Sequence, residues 1–494
     1  MNITVEPIDT TATVGGRSLS ELINEIQAIY LGDTRPWVIG FSGGKDSTSI
    51  LRLIYTALLA LKPAERNKPI FVVSSDTLVE TPVVIDLITN TLKKVEADAR
   101  QRGLPLSVAI VTPDITDTYW VNLLGRGYPA PTKQFRWCTE RMKIDPVSNF
   151  IKQQVAAFGE VVVVLGSRSS ESSTRAQVIK NHKIEGMRLA RHTTLPSAYV
   201  YTPIETWSTD DVWEYLFSGP APWGDDHKLL IELYRDANAG ECPLVVDTST
   251  PSCGNSRFGC WVCTVVTEDK AMKGLIASGE TWLQPLSEFR ELLAKTTKPE
   301  NKNEYRNFKR RTGQVHLSKE GDSHIPGPYK LHYRKEFLRK LLEAQRAISE
   351  DGKDFELIKE AELQEIRKQW IQDPIEPDWE DSLPRIYREA LGKDLDWAES
   401  DAGVFTKHDS DLLHELGKKY QVLPELVMKL LEVELSLDGL SKRAGLFNRI
   451  DQILAQEWGT LSDAIDKHRE ASETTSIYAE RDKVLRDVYE KLPT

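Results

Sequence analysis

The stretch Trp37-Val38-Ile39-Gly40-Phe41-Ser42-Gly43-Gly44-Lys45-Asp46-Ser47-Thr48 constrains this chain more than any other, because an apolar run passes through a glycine pair straight into a helical period. Adjacent glycines let the backbone approach a polyphosphate closely, and the first turn of the following helix offers unpaired N–H groups and a partly positive dipole end to the same anion. Lys45 adds a point charge, and Ser42, Ser47 and Thr48 add hydroxyl donors. A Walker A loop needs a glycine five residues before Gly44, where Ile39 stands, so the common nucleotide-hydrolase pattern is excluded. The reading is a cradle for ATP phosphates built from Ser42, Gly43, Gly44, Lys45, Asp46 and Ser47. Lys45, at what reads as an exposed strand-to-helix turn, is expected to act on phosphate rather than on packing.

The surrounding pattern alternates. Leu19, Leu22, Ile23 and Ile26 make one helical face between Ser18 and Tyr30, ahead of the first strand. Ile50, Leu51, Ile54, Leu58 and Leu61 continue the helical period after the loop, and Ile70-Phe71-Val72-Val73 reads as a buried strand. A helix from Pro82 to about Arg102, a strand Leu106 to Val111, a helix from about Glu140 to Ala157 and a strand Val161 to Leu165 repeat the order. Strand, helix, strand implies parallel crossovers. The expected fold is a doubly wound, mostly parallel α/β sheet with its active site at the carboxyl ends of the strands.

Each strand end carries a polar cluster. After the second strand come Ser75-Asp76-Thr77 with Glu80 and Thr81; Asp76 can hold magnesium or a ribose hydroxyl, or simply cap the next helix. Then come Arg136-Trp137-Cys138-Thr139 with Lys143, and after the last strand Gly166-Ser167-Arg168 with Glu171 and Arg175. Together S-G-G-K-D-S, S-D-T-L-V-E-T, R-W-C-T-x-x-x-K-I and G-S-R-x-x-E-S-x-x-R resemble, in order and approximate spacing, the phosphoadenylyl-sulfate reductase-like proteins of the PP-loop ATP pyrophosphatase superfamily. That resemblance runs over about residues 35 to 218, through Pro203-Ile204, Trp207 and Asp211-Val212-Trp213. It implies ATP cleavage between the α and β phosphates and an adenylated substrate. It also implies phosphate and nucleotide contacts from the first loop, Asp76 and Gly166, anion contacts from Arg136, Lys143, Arg168 and Arg175, and catalytic roles for Lys45, Asp46, Cys138 and Arg168. Trp207 and Trp213 read as core packing.

Family reductases end in a redox cysteine motif, whereas no cysteine follows Cys263 here. Instead Cys242, Cys253, Cys260 and Cys263 fall close together, among Gly240, Gly254 and Gly259. Four thiolates can close a tetrahedral zinc site or a 4Fe-4S cluster. Zinc sites usually show two close pairs, and only Cys260 and Cys263 are paired, which favours the cluster over zinc. Cys138 stands apart; it can carry persulfide or merely pack beside the substrate. A PP-loop domain, a single R-W-C-T cysteine, the motif G-C-W-V-C-T and a long charged helical tail resemble the DndC family, the iron-sulfur ATP pyrophosphatase component of bacterial DNA phosphorothioation. That resemblance implies ATP with magnesium, sulfur supplied by a cysteine desulfurase, DNA as the substrate and other modification subunits as partners. The rival readings are a phosphoadenylyl-sulfate reductase-like enzyme, a tRNA-thiolating enzyme of the same superfamily, and a subunit that binds ATP and an iron-sulfur cluster without catalysis.

With 63 basic and 74 acidic side chains among 494 residues, a formal charge of −11 argues against a general polyanion-coating protein, so DNA would need a local basic surface. Arg175, Lys180, Lys183, Arg188 and Arg191 form one such run against only Glu171 and Glu185, directly after the Arg168 motif. Lys298, Lys302, Arg306, Lys309, Arg310 and Arg311, interleaved with Tyr305 and Phe308, form a second; either run can instead be a solvated helix face. The opening residues lack the regions of a signal peptide and no apolar run approaches a membrane span, so the expected location is cytoplasmic. The expected layout is a lead helix to residue 34, an ATP pyrophosphatase domain over 35–220, a cysteine and basic region over 221–330, and a charged helical domain over 331–494. In the last, Phe337, Leu338, Leu341 and Leu342, then Leu412, Leu413 and Leu416, then Leu426, Val427, Leu430 and Leu431, form apolar stripes, with a break between Pro374 and Pro384.

Overall fold

A computed structural model describes residues 12–171, 173–237, 259–318, 323–353, 355–398, 407–436 and 445–489. A hairpin of β1 (Thr13–Val14) and β2 (Arg17–Ser18) leads into α1 (Leu19–Leu31). Ser18 and Glu21 form a reciprocal capping box there, and Leu19, Leu22, Ile23, Ile26 and Tyr30 make the buried face. Next come β3 (Trp37–Gly40), α2 (Lys45–Ala60), β4 (Ile70–Ser75), α3 (Pro82–Gln101) and β5 (Leu106–Val111). The short turn α4 (Trp137–Thr139), α5 (Asp145–Phe158), β6 (Val161–Val164), α6 (Ser173–His182), β7 (Ala190–Arg191), β8 (Ala198–Tyr201), α7 (Thr209–Phe217) and α8 (Lys228–Ala237) follow. Helices complete the chain: α9 (Lys270–Ala277), α10 (Gln284–Thr297), α11 (Lys302–Tyr305), α12 (Leu331–Glu350), α13 (Glu360–Ile371), α14 (Ser382–Leu391), α15 (Lys407–Tyr420), α16 (Pro424–Ser436), α17 (Leu446–Leu454) and α18 (Leu461–Tyr489).

The expected parallel α/β sheet is present. Its order is β5-β4-β3-β6-β8-β7, all neighbours parallel except the edge strand β7, which runs antiparallel to β8. Every residue of β3 and of β6 is buried, as a strand covered by helices on both faces requires. Trp37, Ile39, Phe41, Val72, Val162 and Val164 pack on one face with α1, α2, α3 and α7, while Val38, Val73, Val161 and Val163 pack on the other with Val147 and Ile151 of α5. After β3 the chain steps outward through β4 to β5, then returns to lay β6 on the other side of β3. The sheet therefore reverses its winding between β3 and β6, and a crevice at the carboxyl ends of those two strands is where this architecture receives a ligand.

The helix expected from Glu140 begins differently. One π-helical turn, Glu140–Ile144, joins α4 to α5. Pro146 has no N–H to give the Met142 carbonyl, and that carbonyl accepts instead from Ser75 Oγ at 3.1 Å. Strands β7 and β8 are not among the expected elements: β7 is two residues long, and the four residues of β8 lack the unbroken valine run that marks β6.

The chain divides into two compact units. The first contains Met1–Tyr119, Pro131–Ala294 and Ala344–Leu357, and so the whole sheet; the second contains Trp120–Ala130, Lys295–Glu343 and Ile358–Thr494. Within the second, the Arg334 guanidinium pairs with Asp373 at 2.9 Å, both side chains buried, and donates to the Gly125 carbonyl at 2.7 Å. Trp370 Nε1 donates to the Leu124 carbonyl at 2.7 Å, so the Trp120–Ala130 segment is tied in through its backbone. Phe337, Leu338, Leu341 and Leu342 are all buried, and the expected break between helices falls between Ile371 and Ser382, with Pro374 in it and Pro384 already in the first turn of α14. The stripe on α15 is different, with Leu412 and Leu416 each more than two-fifths exposed. No described helix is long and apolar enough to cross a membrane.

Candidate functional site

The loop between β3 and α2 has the geometry its glycines promise. Phe41 N still donates to the Val73 carbonyl at 2.8 Å, so the sheet holds the loop just past the end of its strand. Gly43 then turns with φ +73°, and a Cβ there would lie 2.5 Å from Ile88 Cγ1, so only glycine fits. Ser42 and Ser47 brace the turn: Ser42 N donates to Ser47 Oγ at 3.2 Å, and Ser47 Oγ donates to the Gly44 carbonyl at 2.9 Å. Gly44 stands at the N-cap of α2 with no side-chain cap, and Thr48 N makes the first intrahelical bond to its carbonyl. The amides of the first helical turn, from Lys45 onward, thus have no helix carbonyls to pair with.

Lys45 is not exposed, as its position at a turn suggested, but only 3 % exposed. The reason lies in its neighbours. Its Nζ stands 3.2 Å from Asp46 Oδ2, and Asp46 Oδ1 accepts from Arg168 Nε, so one buried carboxylate is shared by two buried cations. Burial, assisted by Arg168, pushes the Lys45 ammonium pKa down from its ordinary value, while Asp46 opposes that shift. Arg168 is further fixed by NH1 bonds to Ser170 Oγ at 3.0 Å and, at 3.4 Å, to the Trp207 carbonyl and Thr209 Oγ1; its backbone N–H reaches Glu171 Oε1 at 2.8 Å. Gly166 permits the approach: a Cβ there would come within 3.0 to 3.1 Å of Asp46 backbone and Cβ atoms. Lys45 and Asp46 come from the end of β3 and Gly166 and Arg168 from the end of β6, so this network sits at the reversal of the sheet.

A second cluster forms at the end of β4. Asp76 Oδ1 accepts from Leu78 N at 2.8 Å, stabilising a turn in which Leu78 has φ +62°; one oxygen of its carboxylate is therefore engaged in a local cap. Just beyond, Thr77 Oγ1 donates to Glu80 Oε1 at 3.0 Å, and Lys143 Nζ lies 3.4 Å from the same oxygen. Against this group sits Cys260, whose Sγ is 3.4 Å from Thr77 Oγ1 and 3.7 Å from Glu80 Oε1. Backbone bonds lock the contact, since Thr81 N donates to the Gly259 carbonyl at 3.0 Å and Trp261 N to the Val79 carbonyl at 3.1 Å. Burial first, and the Glu80 carboxylate second, raise the Cys260 thiol pKa well above its ordinary value, with Lys143 opposing. Cys263 lies on the same turn, its N–H donating to the Cys260 carbonyl at 3.1 Å.

Thiols paired on one turn suit a soft metal, and the cysteine set fits a thiolate-bound centre to that extent. Cys242 and Cys253 lie outside the described residues, and among the described residues no group of three or more His, Cys, Asp or Glu side chains is arranged to hold a metal ion. Arg136 occupies the N-cap position of the α4 turn and Cys138 is half-buried on it, beside Trp137, which stacks on Tyr119 at 5.4 Å. Arg175 lies on α6, its side chain outside what is described. Lys180, Lys183, Arg188 and Arg191 are all exposed, Lys183 pairing with Glu205 at 2.7 Å and Arg188 with Glu25 at 3.1 Å. In the second basic run Arg306 bonds the Gly327 carbonyl at 2.6 Å and Arg311 the Arg126 carbonyl at 2.7 Å, so both guanidinium groups are tied to backbone.

Sequence reasoning missed two participants. One is the Thr77 and Glu80 pair as neighbours of Cys260. The other is Tyr234 of α8, whose hydroxyl accepts from Lys45 N at 3.3 Å across 189 positions of sequence. The spacing of Leu230 and Leu233 marks α8 as amphipathic, but nothing local says which side chain reaches the loop.

Residues 36–265, somewhat less than half of the chain, match the phosphoadenosine phosphosulfate reductase domain family. An uncharacterized protein of Methanocaldococcus jannaschii is 27 % identical over 272 residues, covering 54 % of this chain and 45 % of the relative. The chain spans less than half the length of the curated relatives it matches. Among solved structures, the phosphoadenylyl-sulfate reductase of Candida auris in its phosphate complex is 14 % identical with a TM-score of 0.26, covering 43 % of this chain and 91 % of the other. The U34-tRNA thiolase NcsA of Methanococcus maripaludis, with its [4Fe-4S] cluster, is 11 % identical with a TM-score of 0.26, covering 60 % and 88 %. Likenesses this weak carry no assignment of chemistry.

Proposed function

We propose that this chain is the ATP-dependent sulfurtransferase component of DNA backbone phosphorothioation. The observation that carries the reading is the S-G-G-K-D-S loop at the sheet reversal, with helix amides, Lys45 and the Asp46-anchored Arg168 gathered in one network. A non-bridging oxygen of a DNA phosphate attacks the α-phosphorus of ATP and pyrophosphate leaves. Hydrosulfide-level sulfur then attacks the DNA phosphorus, and AMP departs with the original oxygen, so sulfur replaces oxygen with no change of oxidation state. The chain's part is to bind the polyphosphate on the loop amides and to hold positive charge where the pyrophosphate forms. Asp46 keeps Arg168 in place and opposes the loss of charge on Lys45. Magnesium bound with ATP would neutralise phosphate charge, with Asp76 the strand-end carboxylate suited to it. Cys242, Cys253, Cys260 and Cys263 would hold a 4Fe-4S cluster, or zinc in its place, and such a cluster supplies a site for handling sulfur or electrons. The exposed Lys180, Lys183, Arg188 and Arg191 supply a surface for the DNA backbone. A cysteine desulfurase supplies the sulfur as a persulfide, a thiol reductant releases it as hydrosulfide and is itself oxidised to a disulfide, and other subunits of the modification complex accompany the chain.

The test incubates the full chain with ATP, magnesium, DNA, cysteine, a cysteine desulfurase and a thiol reductant. AMP and pyrophosphate should appear in equal amounts, and nuclease digests should contain dinucleotides with sulfur in place of oxygen. ADP and phosphate as products would overturn the cleavage position. Sulfur incorporated into tRNA but not DNA would move the chain to the thiolating enzymes.

A further inference from the structure

The helix that carries Tyr234 crosses the phosphate loop at its most exacting point. The tyrosine hydroxyl accepts from the backbone N–H of Lys45, the first residue of α2, and that amide is one of the donors a phosphate would use. Gly44 makes the approach possible, for a Cβ there would lie 3.2 Å from the same hydroxyl. The ring is seated from two sides: Lys45 Nζ stands 5.7 Å from its centroid, and Trp213 of α7 packs edge-on at 5.1 Å. At 3.3 Å the amide bond is longer than the usual range of roughly 2.7–3.2 Å for N–H to oxygen, so it is weak.

We propose that Tyr234 is the gatekeeper of the phosphate seat: its hydroxyl and an ATP phosphate oxygen compete for the Lys45 amide, and α8 must carry the ring off the loop for nucleotide to load. The inference rests on the reading of this loop as an ATP site. The competition favours the nucleotide, because a bond from N–H to an anionic oxygen is roughly twice as strong as one to a neutral hydroxyl. A neutral ligand gains no such advantage, so the tyrosine biases the seat toward highly charged phosphates. Trp213 follows the ring and so reports its position.

The experiment compares ATP dissociation constants of wild-type protein and Tyr234→Phe by calorimetry, with Trp213 emission read by difference against Trp213→Phe. Tyr234→Phe keeps the ring and its packing and removes only the competing hydroxyl. The expected result is ATP binding tighter by about two- to threefold, the lower end of the scale of one hydrogen bond, together with an ATP-dependent change in Trp213 emission in the wild type. Weaker binding by Tyr234→Phe would make the hydroxyl a phosphate ligand and overturn the proposal, as would unchanged affinity or unchanged emission. A wild-type protein that binds no ATP would instead bring down the ATP reading itself, and this inference with it.

Discussion

Replacing Asp46 by asparagine should be far more damaging to the fold than replacing Lys45, although the two are neighbours in one motif. The side chains of Lys45, Asp46 and Arg168 are only 4 %, 9 % and 3 % exposed, so one carboxylate offsets two cations that water barely reaches. Removing one partner of a buried pair costs about 3–5 kcal/mol, because the other charge stays behind uncompensated. Asp46→Asn should fall near the lower end, since Arg168 keeps Ser170, the Trp207 carbonyl and Thr209, and Lys45 can shed its proton. Lys45→Met leaves the Asp46 and Arg168 pair intact and should stay within about 1 kcal/mol of wild type, a buried ammonium being replaced by an apolar chain of similar volume. The pH dependence separates the causes. Without Asp46 the already lowered Lys45 pKa drops further below 10.5; between the lowered folded value and 10.5 the unfolded chain binds a proton the folded one lacks, so Asp46→Asn gains stability as pH rises through that window. Adding Lys45→Met should abolish that slope. Hydrogen exchange resolved to α2 peptides, measured at about pH 7 and about pH 9, gives the local opening free energies. If Asp46→Asn opens no more readily than Lys45→Met, or if the slope survives in the double variant, the shared-carboxylate account is wrong.

His227 is buried with φ +60°, its Nε2 has no hydrogen-bond partner among the described residues, and burial, then the charge of Arg52, lower its pKa from 6.5 to about 4. The folded state therefore stays neutral while the unfolded state protonates, and stability should be lost as pH falls from 6.5 toward 4, by at most about 3 kcal/mol; His227→Asn should flatten that acid limb in denaturant titrations, and an unaltered limb would refute it. Protein prepared without oxygen should be brown and carry about four irons, which Cys253→Ser should lose while Cys138→Ser keeps them; one zinc in a colourless protein would reassign the site. Neutralising Lys180, Lys183, Arg188 and Arg191 together should weaken DNA binding and reduce its salt slope by about 0.9 for each phosphate no longer neutralised, leaving DNA-independent ATP turnover unchanged, whereas an unchanged slope would make that run a solvated face.

The strand, glycine turn and helix from Trp37 onward, the helix starting at Pro82 and the strand Leu106–Val111 were legible in the sequence, because each depends on side-chain period and turn chemistry within a few residues. The same local rules placed Gly166 and Arg168 just past a strand end. They could not say that Arg168 would meet Asp46 across 122 positions, or Tyr234 meet Lys45 across 189, since those meetings follow from β6 lying beside β3 and from where α8 crosses the loop. Nor could they bury Lys45, for a lysine at a turn is enclosed only by what later segments bring to it. The sheet reversal likewise brings the site into being without appearing in any one segment. Period and turn residues are properties of neighbours in the chain; strand order, register and the sharing of a buried charge belong to neighbours in space, and only the tertiary structure decides those.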